Sequence, residues 1–182
     1  MRPAKVADAA VADALVAAFR RDGYAGAAIR DLCDATGLKS ASLYHRFPHG
    51  KADMALAALG RTGEAFGKAV VAPLEGPGDP AARLRRSAAG LRRFYAGGRS
   101  ACLLAVLGAS EAPEPVRQAI GAALLRWRDT LTAALAEAGS EAPADEAEDR
   151  IAAVQGALVL ARGTGSTAAF RRAADRMEGP PP

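Results

Sequence analysis

Residues 27–51 read AAIRDLCDATGLKSASLYHRFPHGK, and the fold turns on how they are read. Ile29, Leu32 and Cys33 stand at i, i+3 and i+4, which predicts a short helix with that stripe buried. Gly37 breaks this helix and Leu38 drops into the core. Leu43 and Phe47, at i and i+4, predict a second short helix over 39–47. It ends at Phe47-Pro48, because the residue before a proline disfavours helical backbone. Two short helices across a glycine turn, with a polar face on the second, make a pair that can lay its second helix in a DNA major groove.

Such a helix needs apolar side chains to seat it and short polar or basic ones to reach base edges. Neighbouring groups must also bond phosphates. Ser40 and Ser42, with Ala41 between them, lie near the N-terminus of the second helix, where base edges are met. Lys39 and Arg46 bring charge, while Tyr44 and His45 can donate to phosphate oxygens. Tyr44 directly follows an inward Leu and is expected to face outward, as a phosphate contact or as plain packing. Lys51 and the free amides opening the next helix add an anion site, and Arg30 points the same way. The expected DNA-binding set is therefore Arg30, Lys39, Ser40, Ala41, Ser42, Tyr44, His45, Arg46 and Lys51.

Upstream, Val11, Leu15, Ala18 and Phe19 form an apolar stripe on a first helix over 4–21, stopped at Asp22-Gly23. Tyr24 is placed to pack back on its end. Downstream, a fourth helix over 51–71 carries Leu56, Leu59, Phe66 and Val70, and Pro73–Pro80 reads as a loop. Asp79 caps a helix over 80–96 whose first residue is Pro80, and Gly97-Gly98 ends it. Residues 101–108 are almost wholly apolar and read as a short buried helix. Helices over 114–138, 144–162 and 167–177 follow, with a break at Gly163–Gly165 and a frayed end at 179–182. The expected class is all-α: a three-helix head over 1–50 and a helical body over 51–182.

Half of the 182 residues are hydrophobic and 24% are charged, so the chain is expected to fold. Its net charge is +4. Residues 1–51 hold 8 Lys and Arg against 5 Asp and Glu, and residues 52–182 hold 16 against 15. The excess therefore sits in the head, where phosphate attraction is useful. Cys33 and Cys102 form no CxxC pair and read as free thiols of a reducing compartment. Asp8 and Asp13 interrupt the N-terminal apolar run, and no stretch of about 20 apolar residues exists. A cytoplasmic protein without a membrane span is expected. His45 and His49 are four apart, but Pro48 breaks the helix between them and no third ligand is near, so no metal is expected. Nucleophile-elbow, P-loop and dinucleotide fingerprints are absent, and neither catalytic residues nor a cofactor are expected.

Residues 9–56 resemble the DNA-binding head of the TetR (tetracycline-repressor-like) family of bacterial transcriptional regulators. The likeness rests on Phe19 and Asp22-Gly23-Tyr24, Leu32, Ala35-Thr-Gly-Leu38, Ser42-Leu-Tyr44, Phe47 and Lys51. The FPHGK turn, the segment 101–135 and QGALVLARGTG at 155–165 are similar to the LmrA/YxaF-like subgroup. Three departures stand out: Ala27 and Ala28 replace the usual Thr or Ser, Lys39 replaces a small polar cap, and Phe47 to Lys51 holds one extra residue. The resemblance implies a homodimer that binds a near-palindromic double-stranded DNA operator, with the last two helices at the dimer interface. It further implies a small apolar or amphipathic effector, for which Phe66, Phe94 and Trp127 are the large side chains best placed; they also read as simple core. The residues leave three classes open: a ligand-responsive repressor, a DNA-binding regulator without an effector, and an all-α enzyme or interaction module with a helix-turn-helix-like pair.

Overall fold

The computed structural model describes residues 8–109 and 111–179. The expected opening turn at 4–7 and the tail 180–182 lie outside them. In chain order the α-helices are α1 (Asp8–Gly26), α2 (Ile29–Thr36), α3 (Ser40–Arg46), α4 (Lys51–Phe66), α5 (Ala72–Glu75), α6 (Pro80–Phe94), α7 (Leu103–Gly108), α8 (Glu114–Glu137), α9 (Pro143–Thr164) and α10 (Ala168–Arg176). A π-helical turn, Gly67–Val71, joins α4 to α5, and a 3₁₀ turn, Ala96–Gly98, follows α6. Among the described residues there is no strand. The chain divides into two compact units: Met1–Gly63 with Leu103–Gly121, and Glu64–Cys102 with Ala122–Pro182.

In the first unit, α1 buries Val11, Leu15, Ala18 and Phe19, the stripe its spacing predicts. Each large apolar side chain so removed from water contributes roughly 1.5–3 kcal/mol. Gly23 takes φ +71° and interrupts the helical backbone, after which one more turn runs to Gly26. Tyr24 stacks on Phe19 with ring centroids 6.3 Å apart. α1 packs against α2 and also against α7, whose Leu103 and Leu107 are fully buried. In α2 only Leu32 of the expected stripe is fully buried, with Ile29 and Cys33 half-buried. Thr36 takes the other inward place, because its hydroxyl donates back to the Leu32 carbonyl at 2.7 Å and so enters the core satisfied.

The second unit departs from expectation at Pro73. The helix that begins at Lys51 does not stop before this proline; it widens into the π turn and continues to Glu75. A proline has no N–H and its ring clashes with the carbonyl four residues back, here that of Ala69. The wider turn answers both problems: the Ala72 N–H reaches back five residues to the Gly67 carbonyl. The Ala69 carbonyl is left pointing at α6, where it meets Gly90. A Cβ built on Gly90 would lie 1.7 Å from that oxygen, so only glycine fits. One turn earlier on α6, the buried Ser87 hydroxyl donates to the Val70 carbonyl at 2.8 Å.

The other helix ends of this unit follow their capping chemistry. Asp79 accepts from the Ala82 N–H at 2.9 Å with Pro80 in the first turn, and this bond holds its carboxyl below the usual carboxylate range. α9 runs through Gly163 to Thr164, two residues past its expected end, and stops within the expected break at Gly165, its left-handed cap with φ +73°. The remaining helices end within two residues of their expected bounds.

Candidate functional site

The turn between α2 and α3 is made by Gly37, the left-handed C-cap of α2 at φ +67°. Lys39 then stands at the N-cap of α3 with no side-chain cap bond, and Ser40 is the first helical residue. Leu43 is fully buried. This anchor turns the other side of the seven-residue helix to solvent: Ser40, Ala41, Ser42, Tyr44 and His45 are all exposed. Tyr44 is 45% exposed despite its large ring. Its ring rests beside Gly50, where an added Cβ would come within 3.4 Å of Tyr44 Cε1. Lys39 and Arg30 are also exposed, Arg30 with only a loose 3.5 Å ion pair to Asp31.

Two residues of the expected set are held inside the unit. Arg46 is half-buried and pairs with Asp8 of α1 at 3.1 Å. Lys51 donates to the Ala27 carbonyl at 3.2 Å, with its ammonium 4.8 Å from the centre of the Tyr24 ring. Lys51 thus ties the start of α4 to the start of α2 while two of its three protons remain for another acceptor. Ala27 is itself buried, so the family's usual hydroxyl there is replaced by core, not by an empty surface position. Ala28 caps α2 without a side-chain bond.

Sequence reasoning missed Asp53. Its carboxylate accepts from the His49 N–H at 2.8 Å and lies 3.0 Å from His49 Nδ1. An acid three residues into a helix that reaches back to the preceding backbone is a recognisable capping pattern, and the signal was present in His49-Gly-Lys-Ala-Asp53. It places negative charge beside the expected anion site, leaving Lys51 as the cation there. Substituting Lys51 by Met keeps the stem and removes the charge. Binding to any duplex should then weaken about tenfold and the salt slope should flatten by about 1, read by gel shift at several salt concentrations. An unchanged slope would make Lys51 a brace and nothing more.

In the second unit Phe66, Phe94 and Trp127 come together. The Phe66 ring centre is 5.1 Å from Phe94 and 4.9 Å from Trp127, both edge-to-face. Tyr95 and Phe170, not foreseen as members, extend the group: Tyr95 lies 4.9 Å from Phe94 and 5.9 Å from Phe170. The Tyr95 hydroxyl donates to Cys102 Sγ at 3.4 Å. Among the described residues no group of three His, Cys, Asp or Glu is placed to hold a metal, and no helix is long and apolar enough to cross a membrane.

A glycine-turn helix pair seated by Leu43, on an all-helical chain, defines a helix-turn-helix regulator. Residues 11–58 match the bacterial regulatory proteins of the tetR family, and the chain belongs to that family of DNA-binding transcriptional regulators, which are not enzymes. Residues 80–176 match the C-terminal domain of LmrA/YxaF-like transcriptional regulators. No curated protein matches the chain. Among solved structures, a TetR-family regulator from Agrobacterium tumefaciens is 24% identical, with 94% of this chain and 97% of that one covered and a TM-score of 0.78. A TetR regulator from Legionella pneumophila is 18% identical over 98% of each chain, with a TM-score of 0.83. One from Rhodobacter sphaeroides is 22% identical over 96% and 98%, at 0.79. At these identities the likeness is one of fold.

Proposed function

We propose that the chain is a cytoplasmic, ligand-responsive repressor that binds a near-palindromic operator as a homodimer and leaves it when a small effector binds. In this reading residues 1–50 are the DNA-binding domain and 51–182 the effector and dimerisation domain. The observation that carries the DNA half is the α3 surface: one fully buried leucine, with Ser40, Ala41, Ser42, Tyr44 and His45 exposed around it. Ser40 and Ser42 read bases, with Lys39 beside them, while Tyr44, His45 and Arg30 bond phosphates. Arg46 and Lys51 orient the helix and lend charge.

The dimer is supported by α9. Val159 is 66% exposed and Leu160 54% in the single chain. Ala152, Gly156 and Gly163 continue the same exposed face at helical spacing, and an apolar face of this kind calls for a partner. In the dimer the two recognition helices sit about one duplex turn apart, roughly 34–36 Å, or a multiple of it. Phe66, Phe94 and Trp127 are the core of the effector site. The effector dissociates the complex by binding the non-operator conformation more tightly than the operator-bound one.

A gel shift with the DNA upstream of the chain's own gene tests the reading, and no shift at low salt would sink it. With an operator in hand, Ser42→Ala should relax preference at one base position while leaving binding to unrelated duplex unchanged. An intact preference would remove Ser42 from base readout. A thermal-shift screen tests the effector, since a specific ligand raises the melting temperature by mass action.

A further inference from the structure

Charge is laid out unevenly along the exposed face of α9. Its first half carries Asp145 and Asp149, and Ala152, Gly156, Val159 and Leu160 follow on the same side. Neither aspartate has an ion pair among the described residues, whereas Glu148 beside them is held by Arg128 at 3.4 Å. The other end is basic. Arg162, in the last turn of α9, is exposed, and α10, which packs on α9, exposes Arg171, Arg172 and Arg176. The acids of that segment are engaged elsewhere: Asp175 and Glu178 both pair with Arg92 of α6, each at 2.7 Å. Among the described residues these four arginines meet no carboxylate; Arg171 only donates to the Thr167 hydroxyl at 3.1 Å.

Two copies that meet through the same face of α9 are related by a two-fold axis, which can run along the helix or across it. Along the helix, the pair is parallel and every residue lies beside its own copy. Aspartates then face aspartates, arginines face arginines, and both contacts repel. Across the helix, near Gly156 in the middle of the apolar stretch, the pair is antiparallel. Asp149 and Gly163 each stand seven residues from Gly156, so the aspartate falls beside the partner's Gly163 and the partner's Arg162. Asp145 and Thr167 each stand eleven away, which brings Asp145 to the start of the partner's α10, where Arg171 and Arg172 follow. Opposite charges across a contact direct pairing, and like charges reject the wrong partner. We infer that the two α9 helices pair antiparallel, with Asp145 and Asp149 of each copy against Arg162, Arg171 and Arg172 of the other. This exchange of charge selects a second copy of this chain over other chains of the same fold. The inference rests on the homodimer reading above, and goes further in giving the direction of pairing and the residues that choose the partner.

Three variants of the full chain test it: an acidic-end reversal (Asp145→Lys with Asp149→Lys), a basic-end reversal (Arg162→Glu with Arg172→Glu), and a chain carrying all four changes. By sedimentation the natural chain should form a dimer that weakens as salt rises from about 50 to 300 mM. Either single-end reversal should dimerise at least about tenfold more weakly, because several attractive pairs become repulsive in both symmetric contacts. The fully reversed chain should regain the natural affinity. When natural and fully reversed chains exchange subunits, native mass spectrometry should find each sorted into its own homodimers. The parallel arrangement gives the opposite results: a single-end reversal leaves dimerisation unchanged, and natural and fully reversed chains form heterodimers. Either of those outcomes would overturn the inference while leaving the homodimer intact. A natural chain that is monomeric at micromolar concentration would overturn the homodimer reading with it. The changed side chains are exposed in the single chain, so helix content should hold. Should a variant fail to fold, the salt dependence of the natural dimer still decides, and a dimer that salt strengthens or leaves unchanged would sink the inference.

Discussion

Replacing Gly90 by alanine is expected to destabilise the chain by about 3 kcal/mol, the scale at which overpacking a filled core is felt. The added methyl would stand 1.7 Å from the Ala69 carbonyl oxygen. Backbone sits on both sides of this contact, so no side chain can swing away to relieve it. Gly90 lies inside α6, and in an open helix the same change stabilises by about 1 kcal/mol; the clash must outweigh that gain. For a chain of this size the net loss corresponds to a melting temperature lower by roughly 6–12 °C. Gly60→Ala is the matched control, since nothing lies within 4 Å of a Cβ there, and it should raise the melting temperature slightly. Equal melting of Gly90→Ala and the natural chain would show that the π turn yields easily, and that the close approach is incidental.

The second large effect concerns assembly. The pair Val159→Glu and Leu160→Glu puts two carboxylates on the face proposed to meet its copy, where burying unpaired charge costs several kcal/mol. Sedimentation should show monomers at micromolar concentration, and operator affinity should fall at least about a hundredfold as the two half-sites are no longer bound together. Both residues are more than half exposed in the single chain, so helix content should be unchanged. A double variant that remains a dimer would move the interface elsewhere.

The head was the most legible part of the sequence because its signals are local. Gly37, the Leu43 anchor and the Phe47-Pro48 stop each act within one turn of the chain, as does the Asp79-Pro80 cap outside the head, and the structure places them as their chemistry dictates. What could not be read depends on partners distant in sequence. Pro73 looked like a helix end because a proline removes one hydrogen bond, and only the glycine and serine of α6 show how the freed carbonyls are accommodated. Lys51 looked free because nothing near it in sequence reveals the Ala27 carbonyl 24 residues earlier. The apolar run 101–108 was recognised as a short buried helix, but that it packs on α1 is a long-range fact. The candidate contacts on α3 needed one inward residue to fix the face, which is why they were nameable from sequence.

The π turn also bears on how this chain is compared with others. A turn that spends an extra residue advances the count without advancing the helix by a matching rotation. Side chains after Val71 therefore stand about 100° out of step with what a uniform α-helix from Lys51 would give them. Matched without a gap to a relative whose helix is plain α throughout, Phe66 and Leu74 cannot both fall opposite their spatial equivalents. A one-residue gap placed between Gly67 and Val71 restores the correspondence on both sides.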